Sequence, residues 1–245
     1  MLPLFILITS IVILIAFLSY QKRKKFKEVV VYPVLKEIFT DLEYGYMKGF
    51  DKRRIYDTNL VSSGNRYQSD DYIKARYHGI DFEFSDVLIQ NETKTNDTTH
   101  TTTYFRGQWI IVRPKRKIQG RLYVIDNRFK HSNPKGFWFF KDKSLESVSM
   151  ESERFNREFD VYADSAHEAF YMLNPQMLLR LKEIHEEDVS FYFDGHELHI
   201  AIYSNTSLFE PRLFDKVDIA LHRDEIKSAM LNVLKYVDVF EVEKE

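Results

Sequence analysis

The chain has 245 residues, with 44% hydrophobic and 15% aromatic side chains, enough apolar material to bury a substantial core and to exclude a globally disordered chain. Its net charge of -2 and pI near 6.5 provide no overall field for nucleic acid. The absence of cysteine excludes disulfides, thiol catalysis, Cys-ligated zinc and iron–sulfur clusters.

The first element is an apolar segment. From Leu2 to Tyr20 no residue is charged, and at ~1.5 Å per residue the segment spans roughly 28 Å, close to the ~30 Å of bilayer hydrocarbon. No basic residue precedes it and no A-x-A cleavage pattern follows, so the expectation is a retained transmembrane anchor over residues 1–20 rather than a removed signal peptide. Lys22, Arg23, Lys24, Lys25 and Lys27 follow immediately. They hold that flank in the cytoplasm by the positive-inside rule and are expected to contact the membrane surface. A single-pass protein of the cell membrane with a cytoplasmic globular domain is the result.

The expected organisation is 1–20 anchor, 21–62 basic juxtamembrane and helical region, and 63–245 globular domain. Pro33 opens a helix whose apolar face is Leu35, Ile38, Phe39, Leu42 and Tyr46, and Asp51–Val61 reads as a weaker second helix. Ile80, Phe82 and Phe84 alternate with acidic residues as in a half-buried strand. Val87 and Ile89 resume out of phase, which suggests a bulge at Ser85–Asp86. Residues 91–103 read as a solvated hairpin loop, and 104–112, 118–125 and 136–140 as strands, with a basic turn over 113–117.

Ser165 and Glu168 form a capping-box pattern ahead of a short helix over 166–173, and Asn174-Pro175 caps the next helix, buried through Met177, Leu178, Leu181 and Ile184. Asp194-Gly195 marks a hairpin over 189–204. As a two-residue turn it places Phe191 opposite Leu198 and Val189 opposite Ile200. Ile226, Met230, Val233, Leu234 and Val237 give a C-terminal amphipathic helix. The fold class is therefore α+β: an N-terminal transmembrane helix and juxtamembrane helices, then an antiparallel sheet with interrupting and C-terminal helices.

Chemical motifs are sparse. His196 and His199 project from opposite faces of the hairpin, and their spacing is not H-E-x-x-H, so with His185 they make no joint metal site. There is no G-x-S-x-G, Walker A or G-x-G-x-x-G sequence. No catalytic, cofactor-binding or metal residue is assigned. Basic residues at 113–117 beside Tyr104, Phe105 and Trp109 fit a hairpin turn against the sheet better than a nucleic-acid surface. In Leu208-Phe-Glu-Pro211 such a Phe most often plugs the core while the proline shapes the turn, and less often it forms part of a binding groove, in which case Phe209, Glu210 and Pro211 are the candidate partner-binding residues. The chain then reads as a tethered module that binds a membrane or cytoplasmic protein, or the bilayer itself. The alternative is a membrane-bound hydrolase in which Asp160, Asp164, Glu168 or Glu210 converge. An exported domain on an uncleaved signal sequence, with sequons at Asn91, Asn96 and Asn205, is a third reading.

Phe105-Arg-Gly107, Phe159-Asp-Val-Tyr-Ala-Asp164, His167-Glu-Ala169, Leu173-Asn-Pro175 with Met177, and Leu208-Phe-Glu-Pro211 occur in this order over residues 75–215. In that order they resemble the family DUF3137, a bacterial domain of unknown function. Relatives often carry two hydrophobic segments where this chain has one. The resemblance implies membrane association and supplies no catalytic residue.

Overall fold

The computed structural model describes residues 2–96, 98–114, 119–128, 144–185, 187–210 and 219–241, with side chains from Thr9 to Phe240 within those ranges. Helix α1 (Leu2–Phe26) runs through a π-helical turn (Lys27–Val31) directly into α2 (Tyr32–Ile38). The cap residues between them, Phe26, Val31 and Tyr32, all keep right-handed helical dihedrals, so the three pieces are one continuous helix with a widened turn. Among the described residues no helix is long and apolar enough to cross a membrane.

The helix stops earlier than its periodicity suggests. Phe39 is already extended, and β1 (Thr40–Gly45) begins one residue later. Leu42 and Tyr46 continue a 3.6 spacing only by coincidence, because β1 gains ladder hydrogen bonds from the neighbouring strand β2 (Arg66–Tyr77) that a longer helix could not make. The second expected helix shrinks to α3 (Lys52–Tyr56), capped by Asp51 Oδ1 accepting from the Arg53 amide at 2.8 Å.

The remaining strands are β3 (Ile80–Thr95), β4 (Thr98–Val112), β5 (Leu122–Asp126), β6 (Glu146–Val148), β7 (Phe159–Ala163), β8 (Asp188–Phe193) and β9 (Leu198–Tyr203). They form one antiparallel sheet in the order β1-β2-β3-β4-β9-β8-β5-β7-β6. The expected loop over 91–103 is instead a ladder, paired out to Thr95 opposite Thr98. Threonines on both arms suit a solvated two-stranded ribbon. The strand expected over 136–140 and most of the turn over 113–117 lie outside the described residues.

Two cores lie on the two faces of the sheet. Phe82, Phe84, Ile110, Val124, Phe191 and Ile200 face the helices, and Trp109, Ile111, Tyr123, Tyr192 and Ala201 face the segment around α3. The central strands are therefore covered on both sides and read as nearly unbroken apolar runs. The helical layer comprises α2, α4 (Glu153–Glu158), α5 (Ala166–Met172), α6 (Pro175–Glu183) and α7 (Ile219–Glu241). On α7 the expected stripe Ile226, Met230, Val233, Leu234 and Val237 is buried throughout. Segment 21–62 supplies both layers: Phe26, Val30, Val31, Val34 and Leu35 on one face, Phe50, Ile55, Leu60 and Val61 on the other.

Two local readings need correction. The hairpin β8–β9 pairs Phe191 with Ile200 and Val189 with Ile202, two residues away from the expected register. Asp194 closes a four-residue turn by accepting from the amides of His196 (2.9 Å) and Glu197 (2.7 Å), which a two-residue turn would not allow. A shift of two leaves every side chain on its expected face. At α5, Ser165 makes no side-chain cap, and Glu168 Oε2 accepts from the Gln119 amide at 3.1 Å instead of closing a capping box.

The cap at α6 forms as expected, with Asn174 Oδ1 accepting from the Met177 amide at 3.0 Å ahead of Pro175. Asn174→Ala should lower stability by about 1 kcal/mol. Chemical denaturation should show a lower midpoint at unchanged slope; no shift would mean the cap carries no net energy.

Candidate functional site

The site begins with a bulge. Between Asp70 and Ile73 the β2 register slips against β3, so that Asp71 and Tyr72 together oppose Ser85. Asp71 takes φ +56°, in the left-handed region. The expected bulge at Ser85–Asp86 is thus on the partner strand. β3 itself pairs without interruption to β4, from Phe84 opposite Ile110 to Val87 opposite Gly107. Alternation along β3 never changes phase. Asp86 occupies the helix-facing position after Phe82 and Phe84, while Val87 and Ile89 are core residues of the other face.

The extra residue turns two successive aspartates toward the helical layer. Ligand-capable oxygens of Asp70, Asp71 and Asp86 all lie within 4.8 Å of one another. The disrupted ladder is repaired locally: the Ser85 hydroxyl donates to the Asp70 carbonyl and lies 2.8 Å from Ser69 Oγ.

Into this acidic corner the π-helical turn lowers Lys27. The side chain is 3% exposed. Its Nζ lies 2.5 Å from Asp71 Oδ2, 3.4 Å from Glu210 Oε1 and 5.8 Å from the centre of the Phe209 ring. The Tyr44 hydroxyl donates to Asp71 Oδ1 at 2.5 Å, and burial, reinforced by Asp71, raises that phenol far above its ordinary value. Asp86 accepts from Gln108 Nε2 at 3.2 Å and from the Leu208 amide at 2.9 Å. Burial raises the pKa of Asp86 well above the usual carboxylate range, with the charge of Asp71 adding to it. Burial likewise raises Asp71, against the opposing pull of Lys27.

Beside this cluster lies a pocket of about 210 Å³, whose charged lining is Arg23, Asp70, Asp86, Arg106 and Glu210, with Gln68 and Ser207 as its neutral polar residues. Arg23 Nε lies 3.4 Å from Glu210 Oε2. Asp86, 4% exposed, and the half-buried Asp70 form the floor, while Glu210 and both arginines are exposed at the rim.

Of the residues expected at the membrane surface, Lys22, Arg23 and Lys25 are exposed and Lys24 half-buried. Lys27 is committed to Asp71 and cannot reach head groups while that pair holds. Among the candidate partner-binding residues, Phe209 is 0% exposed, wedged between Tyr44 and Phe84; Glu210 pairs with Arg23 and Lys27; Pro211 lies outside the described residues. The carboxylates considered for a hydrolase serve separate structures: Asp164 binds Arg121 at 2.8 Å, Glu168 caps the Gln119 amide, Asp160 sits in β7 opposite Ile125, and Glu210 belongs to the Lys27 cluster.

The histidines are also separated. His185 Nε2 lies 2.5 Å from Asp126 Oδ2 at the end of β5. Burial works against the Asp126 charge, but hydrogen bonds from His185 and Arg128 outweigh it and keep its pKa below the ordinary value. His199 is buried against Trp109, whose Nε1 donates to His199 Nδ1 at 3.2 Å, and burial pushes His199 down to about 4. His196 lies in the exposed hairpin turn. Asp194, Glu197 and His199 have atoms within 4.8 Å of one another. There the Asp194 carboxylate is used by the turn amides and His199 Nδ1 by Trp109.

Sequence reasoning missed Asp70, Asp71 and Asp86. The signal for them was an Asp-Asp pair inside one strand and, in the next, Asp86 at the position two after Phe84 on its apolar face; aspartate is a poor β-former.

The fold and its cluster define a class: an antiparallel α+β domain clamped to a long N-terminal helix by a buried lysine–aspartate pair. Residues 103–241 match the family described as a protein of unknown function, DUF3137, and the chain belongs to that family. Its motifs acquire structural reasons. A Cβ on Gly107 would lie 2.0 Å from the Ile202 carbonyl of β9, Asp164 holds Arg121, and the Leu208 amide caps Asp86. No curated protein matches the chain. Among solved structures it is similar to the mycobacterial trehalose monomycolate transport factor A, TtfA, with TM-score 0.45 and 9% identity over 93% of this chain and 98% of that one.

Replacing Lys27 by Met should destabilise the protein by about 3–5 kcal/mol, because it strands a buried carboxylate. Adding Asp71→Asn to Lys27→Met should recover part of that loss; a double-mutant cycle with no coupling would show the pair to be energetically idle. Asp86, whose folded pKa is raised, binds protons that the unfolded chain has released above ~3.9. Its contribution therefore declines as pH rises through that value. The stability of Asp86→Asn relative to the natural chain should increase from pH 4 to pH 7, measured by denaturation across that range. A pH-independent difference would contradict the assigned protonation.

Proposed function

We propose that the protein is a single-pass, membrane-anchored module whose globular domain faces the cytoplasm and acts by binding, to a protein partner or to the inner-leaflet surface. The observation that carries this reading is the apolar sleeve of α1. Ile11, Val12, Ile13, Leu14, Ile15, Phe17 and Leu18 are 47–68% exposed, on every side of the helix. A helix apolar all round, and uncovered among the described residues, suits hydrocarbon rather than water. The charge-free sequence Leu2–Tyr20 extends the same character, and the basic residues after it favour cytoplasmic placement of the domain.

Two further features support a tether that also orients. The helix enters the core without a flexible linker, burying Phe26, Val30, Val31, Val34 and Leu35 against the sheet. The Tyr20 hydroxyl lies 3.0 Å from that of Tyr46, bringing the end of β1 and the 70% exposed Met47 beside the last residue of the apolar segment.

Two reporters fused after Glu245, one active only in the cytoplasm and one only outside, test the topology. Cytoplasmic activity is expected, together with carbonate-resistant sedimentation that is lost when residues 2–20 are deleted. External activity would reverse the orientation, and a full-length chain released by carbonate would remove the anchor.

A further inference from the structure

The pocket at the base of α1 combines position, layered charge and an exposed guanidinium. Arg23 follows Tyr20 by three residues, about 4.5 Å along a helix. On the anchor reading, with Tyr20 at the hydrocarbon boundary, that depth falls inside the head-group layer, about 5–8 Å thick on each side. A cavity lined by Arg23 therefore opens where lipid head groups lie.

Its charges are ordered from floor to rim. Asp86 is deeply buried and Asp70 half-buried, whereas Glu210 is exposed beside the arginines. Arg23 and Arg106 stand at the mouth. Arg106 projects from β4 and makes no side-chain hydrogen bond or ion pair among the described residues, whereas Arg23 is already bound to Glu210. Lys27 is spent on Asp71 behind the floor. With the buried Asp86 carboxyl held protonated, the lining sets the carboxylates of Asp70 and Glu210 against two guanidiniums, and Asp70 lies deeper than either arginine. Such a site favours a ligand with a cationic end that donates hydrogen bonds inward and an anionic end that stays at the rim.

We propose that this pocket seats the head group of a phospholipid bearing a primary ammonium next to its phosphodiester, the chemistry of phosphoethanolamine. The ammonium points to Asp70 and Glu210 above the buried carboxyl of Asp86, and the phosphodiester meets Arg106 and Arg23. A trimethylammonium has no N–H to give these carboxylates, so choline lipids fit poorly. The assignment rests on α1 being a membrane anchor. It adds to that reading a lipid-specific contact that would fix the domain's rotation about the helix.

The test uses the full chain in nanodiscs of phosphatidylcholine alone and with increasing phosphatidylethanolamine, read by thermal denaturation. Phosphatidylethanolamine should raise Tm progressively, and Arg106→Gln or Asp70→Asn should weaken the lipid dependence about tenfold, as expected for one lost charge-assisted contact. Arg106 is exposed, so its variant separates binding from folding. Soluble glycerophosphoethanolamine, added to phosphatidylcholine discs, should reproduce the effect, and glycerophosphocholine should not. Failure of the chain to enter any disc would overturn the anchor and the site with it. Entry with a Tm indifferent to head group, or unchanged by Arg106→Gln, would overturn the site while leaving the anchor. Protection by the soluble compound without any response to the lipid would also overturn it, by making the ligand a free solute.

Discussion

The Lys27–Asp71 pair is the constraint around which the molecule is arranged. An ammonium and a carboxylate, both almost wholly removed from water, sit where the N-terminal helix meets the bulge of β2. Isolated, either charge would be prohibitive there. Paired, they roughly offset their own desolvation, so their value lies in register more than in net stability. The helix can rotate or slide only by unpairing a buried charge.

Several irregularities follow from that requirement. The widened helical turn over Lys27–Val31 presents Lys27 to the sheet while Val30 and Val31 stay in the core. The left-handed Asp71 places a carboxylate where regular pairing would leave it on another line. Tyr44 on β1 supplies the second donor to Asp71, and Phe209 closes the cluster from the far end of the chain. Local strain at such a residue is tolerated because the surroundings over-determine it. The cluster draws together segments around residues 27, 44, 71, 86 and 209, so it is a tertiary feature in the full sense.

A rigid connection of this kind differs from a flexible linker. With the helix continuous into α2 and locked by the pair, the domain and the polar pocket beside Arg23 have a defined orientation relative to the apolar segment. Chain entropy that a loose linker would retain is given up here, and buried contacts of Phe26, Val31 and Leu35 offset it.

The sequence by itself determined what depends on local pattern. Apolar continuity over Leu2–Tyr20, the Asn174-Pro175 cap, the stripe on α7 and the face assignments of β8 and β9 all follow from periodicity and capping chemistry. Only the tertiary structure decided matters that hinge on a partner segment. The helix after Pro33 ends at Ile38 because a neighbouring strand offers β1 its hydrogen bonds. The hairpin register belongs to the Asp194 turn, since slips of two conserve every face. Phe209 became core, the commoner of the two roles open to it, and Lys27 became an internal ion although it looked like a surface group. The buried aspartates were invisible as a site for the same reason. A bulge in one strand, a polar residue in the next and a helix from another part of the chain must meet before their charges have any meaning.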